Sequence, residues 1–175
     1  MAEFVAFHPE NETLGAGILP LLSVLKPRGI HNILRAEGLD SIQPDQWYPQ
    51  QAELNVLKAA SLTTDFVNIG VRIPDIVAYE TETSTLEDAL MLLNAGYQHN
   101  HRGPDVGCYH YEWTGKRAIQ IVCYNPYPSD MDYGIIYRLV QKYRPADSGV
   151  FAVLRQAETP DRTLGGESCT FNATW

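Results

Sequence analysis

From residue 106 to the C-terminus the hydrophobic pattern changes period repeatedly, and few folds accommodate the order it spells. Val106 to Trp113 reads as a strand, with Tyr109, Tyr111 and Trp113 alternating along it. Thr114-Gly115-Lys116 is a hairpin turn signal, and Arg117 to Tyr124 is a second strand. Asn125-Pro126-Tyr127-Pro128 is a rigid extended link, because each proline fixes its φ. Ser129 then reads as a helix N-cap, with Asp130 and Asp132 in the first turn. Ile135, Ile136, Leu139 and Val140 keep helical spacing in a helix that runs to Tyr143. Gly149 to Ala157 and Ser168 to Trp175 are the third and fourth strands, with a loop from Thr159 to Gly166. Strands joined by short links pair antiparallel. The order β-β-α-β-β therefore predicts an α+β fold: N-terminal helices packed on a four-stranded antiparallel sheet.

Upstream the chain reads as helical. Residues 1–12 form a loose acidic lead. Leu14 to Leu25 is apolar on all sides despite Gly15, Gly17 and Pro20, as in a buried helix piece or a docking segment. Pro27 suits a helix first turn, and Ile30, Ile33 and Leu34 keep helical spacing until Gly38. After a turn-rich link, Pro44-Asp45 is expected to open a helix carrying Trp47, Leu54 and Leu57, with Pro49 in or near its first turn. A further helix is expected from Thr64 to Ala78, interrupted near Pro74. Thr83-Ser84-Thr85 caps the next, with Glu87 and Asp88 facing the helix dipole and Leu86, Leu90, Leu93 and Tyr97 on its face; it stops before Gly103. No repeat or low-complexity tract is visible. The reading is one ligand-binding or sensor-like domain over residues 1–175, helical over about 14–103 and sheet-forming over about 104–175.

Composition limits the function classes. The 175 residues suit one domain, and 45% apolar with 19% charged residues is a globular profile. A net charge of −8 is the wrong sign for tracking nucleic-acid phosphates, so no nucleic acid is expected as partner. Cys108, Cys123 and Cys169 are too few and odd in number for a secreted disulfide framework. No Lys or Arg precedes Lys26, so no basic signal-peptide start is seen. The Leu14–Leu25 run is too short to span a bilayer. The expected location is the cytoplasm.

Three segments carry a resemblance: Tyr97-Gln-His-Asn-His-Arg-Gly103, Asn125-Pro-Tyr-Pro-Ser-Asp-Met-Asp-Tyr-Gly134 and Gly165-Gly-Glu-Ser-Cys-Thr-Phe171 followed by Trp175. The ending resembles the Gly-x-x-x-Cys-x-Phe/Tyr closing strand of 4-vinyl-reductase domains and related bacterial sensor-input domains. These share a broad fold group with haem–nitric-oxide-binding domains and transport-protein-particle subunits. The likeness runs from about residue 25 to the C-terminus. It implies a module, often dimeric, with a pocket between helices and sheet. Such modules take a small apolar ligand or a partner and pass the state to an output domain; they are mostly not enzymes. The Tyr-x-Ser-x-Arg motif of the haem-binding subtype is absent, as is the clustered-cysteine zinc site of another subtype.

Several constellations have a chemical and a plain reading. A turn at Gly115-Lys116 would put Thr114 opposite Arg117 and Cys108 opposite Cys123, with His110 and Glu112 on the same face. That set could ligate zinc, but two buried thiols is the simpler account. His99, His101 and Arg102 could grip an anion or haem iron, or simply cap a helix C-terminus before Gly103. Asp130 and Asp132 could be paired acid–base carboxylates, but capping accounts for them. Tyr109, Tyr111, Trp113, Tyr124 and Tyr127 could line a pocket, pack the sheet on its helices, or form a dimer face. There is no Gly-x-Ser-x-Gly, phosphate loop or His-Glu-x-x-His.

The preferred reading is a non-catalytic sensor or adaptor domain that binds a small, largely apolar or aromatic ligand. Its partners would be a second copy in a homodimer and an output protein. Tyr109, Tyr111, Tyr124 and Tyr127 are the expected pocket walls, and His101 and Arg102 the polar anchors. No catalytic residue or metal ligand is assigned, and the residues identify no cofactor. The alternatives are an interaction module without ligand and a haem or metal sensor; a tetrapyrrole-processing enzyme is weaker.

Overall fold

A computed structural model describes residues 4–25, 30–76, 83–157 and 161–175. Among these, the C-terminal half forms the expected sheet. Strands β4 (Cys108–Gly115), β5 (Ala118–Tyr124), β6 (Ala152–Arg155) and β7 (Ser168–Thr174) run antiparallel in the order β4-β5-β7-β6. Residues 119, 121 and 123 of β5 and 169, 171 and 173 of β7 turn inward and are almost fully buried. This period-two burial packs one face of the sheet on helices. The inner stripe of α6 (Ser129–Tyr143), with Ile136, Leu139 and Val140 fully buried, lies against β6 and β7. Helix α5 (Leu86–Asn100) lies against β4.

The helical half contains α1 (Gly15–Val24), α2 (Ile30–Ala36), α3 (Gln50–Ala60) and α4 (Phe66–Ile76). Helices α4 and α6 cross at Gly70 and Gly134. A Cβ at Gly70 would sit 2.0 Å from the Met131 carbonyl oxygen, and one at Gly134 2.2 Å from that of Val67. Helix α5 starts as its sequence dictates. Thr85 Oγ1 accepts from Asp88 N at 3.1 Å, and the Asp88 carboxylate accepts from Thr85 N at 3.1 Å, a reciprocal capping box. Thr85→Ala is expected to lower stability by about 1 kcal/mol, readable by urea denaturation.

Several sequence expectations are corrected. A second sheet, ordered β2-β1-β3, joins Glu12–Leu14 (β1), Trp47–Pro49 (β2) and His101–Arg102 (β3). Strands this short carry no readable period. Residues 4–12 are not a loose lead: Phe4 is 2% exposed and Asn11 is 1% exposed. Helix α3 begins at Gln50, not at Pro44, because Trp47–Pro49 is held extended by β1. Ser129 is the first residue of α6 rather than its cap, which is Pro128. Strand β6 is shorter than the 149–157 reading. Pro27 and the 77–78 end of the expected 64–78 helix lie outside the described residues.

The hairpin differs most consequentially. The turn is Lys116-Arg117 rather than Gly115-Lys116, so Gly115 pairs with Ala118; a bulge at Thr114 then pairs Trp113 with Ile119, and the net register lies one residue from the expected one. Cys108 then opposes Tyr124, while Cys123 opposes Tyr109 on one side and Cys169 on the other. A one-residue slip exchanges the faces, so Cys108 and Cys123 point to opposite sides of the sheet. The Cys108/His110/Cys123 zinc reading fails for this reason. Among the described residues no cluster of three His, Cys, Asp or Glu could hold a metal ion.

Candidate functional site

A cavity of about 330 Å³ opens between helices α1, α4, α5 and α6. Its walls are apolar: Leu21 from α1, Ile73 from α4, Leu93 from α5, and Met131 and Ile135 from α6. Its floor is polar and aromatic, made of Thr13, Glu53, Tyr97, His101, Tyr109 and Tyr127. The α4–α6 crossing at Gly70 and Gly134 fixes the spacing of two of the walls.

Each floor residue is held by its element. His101 follows the last residue of α5 with extended backbone, φ −130° and ψ 142°. Its ring stacks on Tyr97 at 4.0 Å, and Nδ1 lies 2.7 Å from the Tyr97 carbonyl oxygen. His101 thus caps the helix end, as its plain reading required, and also faces the cavity. The 125–128 link holds Tyr127 through its own amide, which donates to Asn125 Oδ1 at 2.9 Å. Glu53 stands in the first turn of α3, on the apolar side of the helix.

The hydrogen bonds of the floor define its protons. Tyr127 Oη lies 2.7 Å from His101 Nε2 and 2.7 Å from Glu53 Oε2. A phenol has one proton and serves one of these two as donor. The Tyr97 carbonyl only accepts, so His101 Nδ1 carries a proton. If Tyr127 donates to an ionised Glu53, His101 Nε2 must donate too, and the imidazole is cationic. If His101 is neutral, Tyr127 donates to it and Glu53 keeps its proton. Both arrangements hold the same number of protons, but only the second buries no charge. Burial selects it: Glu53 is pushed up from 4.5 to about 7, chiefly by desolvation, and His101 is pushed down from 6.5 to about 4 for the same reason.

A second buried acid lies behind the floor. Tyr109 Oη donates to Asp132 at 2.7 Å, and Asn125 Nδ2 donates at 3.1 Å. Desolvation outweighs these bonds and the nearby Arg155 and Arg162, pushing Asp132 up from 3.8 to about 7. Asp132 is therefore not a capping carboxylate. Asp130 is exposed and pairs with Arg155 at 2.5 Å.

Of the residues expected to line a pocket, His101, Tyr109 and Tyr127 come together on this floor. Arg102 does not: it pairs with Glu12 at 2.6 Å and lies over the Trp47 ring at 4.3 Å. Tyr111 stands farther along β4, half-buried and outside the cavity lining. Tyr124 is on the other face of the hairpin, where it stacks on Phe7 at 4.5 Å and donates to Asp105 at 2.8 Å. The shifted register removes it from the face of Tyr109. Sequence reasoning missed Thr13, Glu53 and the floor role of Tyr97. Glu53 had a signal: it lies three and four residues before Val56 and Leu57, on an apolar face.

No family model matches the sequence, and no curated protein does. Solved structures do match in fold. One from work on haem distortion in the H-NOX family is 12% identical, covers 92% of each chain and gives a TM-score of 0.65. An oxygen-binding H-NOX domain related to soluble guanylate cyclases is 13% identical over 91% of each chain, with a TM-score of 0.63. A mutant of the T. Tengcongensis H-NOX is 12% identical over 91% of this chain and 94% of that one, with a TM-score of 0.60. The fold is therefore that of the haem–nitric-oxide-binding domains, one member of the group that the sequence resembles.

The residues of this cavity do not fit haem. Haem iron takes an axial donor with a free lone pair. His101 is the imidazole on the cavity floor, and both its nitrogens are engaged. The hydroxyls of Tyr97, Tyr109 and Tyr127 are engaged as well, with burial holding each in its neutral form. Among the described residues no Lys or Arg lines the cavity to meet the two propionates.

Proposed function

We propose that this chain is a non-catalytic sensor-type domain whose cavity binds a small, largely apolar or aromatic molecule. The carrying observation is the cavity itself: apolar helical walls ending on a buried floor with a polar atom left open. Thr13 is 1% exposed, and its Oγ1 lies beside Glu53 and Tyr127 without a hydrogen bond of ordinary geometry. Buried polar atoms are normally satisfied, so such an orphan in a cavity wall points to a group that arrives from outside. The size falls in the range of small-molecule sites. A second copy or an output protein would receive the signal. Among the described residues no helix is long and apolar enough to cross a membrane.

Gly96 offers the test. It lines the cavity, and a Cβ there would meet nothing within 4 Å. Gly96→Trp is expected to fill the space, weakening binding of phenethyl alcohol by about tenfold or more in calorimetry while unfolding stays cooperative. Equal binding by both proteins would place the ligand elsewhere, and no binding by either would reject the reading.

The haem-sensor alternative is favoured by the fold of its neighbours. The donor set predicts the opposite result. Protein mixed with haemin and desalted is expected to retain no stoichiometric Soret band. A retained band that disappears in His101→Ala would restore the haem reading.

A further inference from the structure

The floor of the cavity has an acid and no base to match it. Glu53 is 3% exposed, and no Lys or Arg stands within ion-pair distance of its carboxyl among the described residues. The groups facing it from each packed element are all neutral or acidic. They are Thr13 from β1, Tyr97 from α5, His101 from β3 by way of Tyr127, and the Tyr127 hydroxyl itself. Asp132 lies on the far side of Tyr109 and adds a second carboxyl. Arg155 and Arg162 act on Asp132 and leave Glu53 without a countercharge.

The rest of the floor is shaped for the same charge. The Tyr97 and Tyr127 rings meet edge to face at 6.2 Å, Tyr97 and Tyr109 at 5.4 Å, and His101 stacks on Tyr97. These aromatic rings pack beside the desolvated carboxyl, an environment of π-systems and one acid that suits a cation better than an anion. Thr13 Oγ1 has a free acceptor lone pair close to Glu53. An ammonium group brings several N–H donors and a positive charge, and so answers both deficits together. A carboxylate or phosphate ligand would meet Glu53 with no cation to offset it.

Resting on the reading of this cavity as a ligand site, we propose that its ligand is a protonated arylalkylamine, with its ammonium at Glu53 and its hydrocarbon part between the helical walls. The experiment compares three probes of one skeleton: phenethylamine, phenethyl alcohol and phenylacetate. At about pH 8.5 the amine is still protonated, as lysine is, and Glu53 is mostly ionised. There the amine is expected to bind about tenfold or more tighter than the alcohol, and phenylacetate weakest. At about pH 5 roughly one Glu53 in a hundred is ionised, so amine affinity should fall by as much as a hundredfold while alcohol affinity stays level. In Glu53→Gln the amine should drop to within a few-fold of the alcohol and lose its pH dependence. Retained alcohol binding in that variant reports an intact cavity. The wild-type pH comparison decides the matter if the variant does not fold.

An amine that binds no better than the alcohol in wild type overturns the proposal and leaves the cavity a site for neutral ligands. A preference that survives Glu53→Gln overturns it as well. If no probe binds, the ligand-site reading fails and takes this proposal with it.

Discussion

Gly134→Leu is expected to leave the protein unfolded or without its native helical packing. The α4–α6 crossing has no room for a side chain. A Cβ at Gly134 would lie 2.2 Å from the Val67 carbonyl oxygen, 2.8 Å from Val71 N and 2.9 Å from Gly70 Cα. These are backbone atoms, so relief requires moving a whole helix rather than rotating a side chain. Even Gly134→Ala is expected to cost about 3 kcal/mol or more, although alanine by itself favours a helix over glycine by about 1 kcal/mol. In a chain of this size that lowers Tm by roughly 6–12 °C. Gly70→Ala should behave alike, since its Cβ would meet Met131 O at 2.0 Å. Gly96→Ala is the control with the opposite sign: it sits in α5 with open space around it and should stabilise by up to about 1 kcal/mol. Thermal denaturation followed by circular dichroism distinguishes the cases. A Gly134→Ala protein melting within a degree or two of wild type would show that the helices do not cross this closely.

The second large effect is a stability that falls as pH rises through neutrality. Glu53 and Asp132 are raised to about 7 in the folded protein from 4.5 and 3.8. Between those limits the folded state holds protons that the unfolded state has released. Stability is thus fully present below the unfolded values and is lost as pH rises to the folded ones. Each group contributes a loss of roughly 3–4 kcal/mol by about pH 8. His101 works in the other direction. Its pKa falls from 6.5 to about 4, so the unfolded state binds the extra proton and stability rises over that interval. The three together predict a net loss of about 3.5 kcal/mol between pH 4.5 and 7.5. Urea midpoints measured across this range should decline. Asp132→Asn should flatten the curve, leaving Glu53 and His101 nearly to cancel between about pH 4.5 and 6.5. A wild-type profile that climbs through this interval would mean that both acids are ionised in the fold.

Under the proposed ligand, Glu53 would also link stability to function. A cationic ligand at Glu53 would offset the burial that destabilises its ionised form, so ligand and protein would stabilise one another most strongly at alkaline pH. Asp132, shielded behind Tyr109, would keep its own pH dependence in the complex.

The sequence by itself determined the β-β-α-β-β order, the antiparallel sheet, the α5 N-cap and the helix-terminal role of His101. These follow from local physics: side-chain period, cap chemistry and the fixed φ of proline act over a few residues. It also placed Tyr109, Tyr127 and His101 in one candidate site. Only the tertiary structure decided which neighbours joined them. A single bulged residue at Thr114 carried Tyr124 and Cys108 to one face of the hairpin and Cys123 to the other, and period alone does not count that residue. The three short strands that bring Thr13, Trp47 and His101 together pair across 33 to 90 residues of chain, beyond any local pattern. Asp132 read as a capping carboxylate in a helix first turn, and Glu53 drew no reading at all. Their meaning came from burial among groups distant in sequence, because the free energy of a carboxyl is set by what surrounds it and not by the residues beside it in the chain.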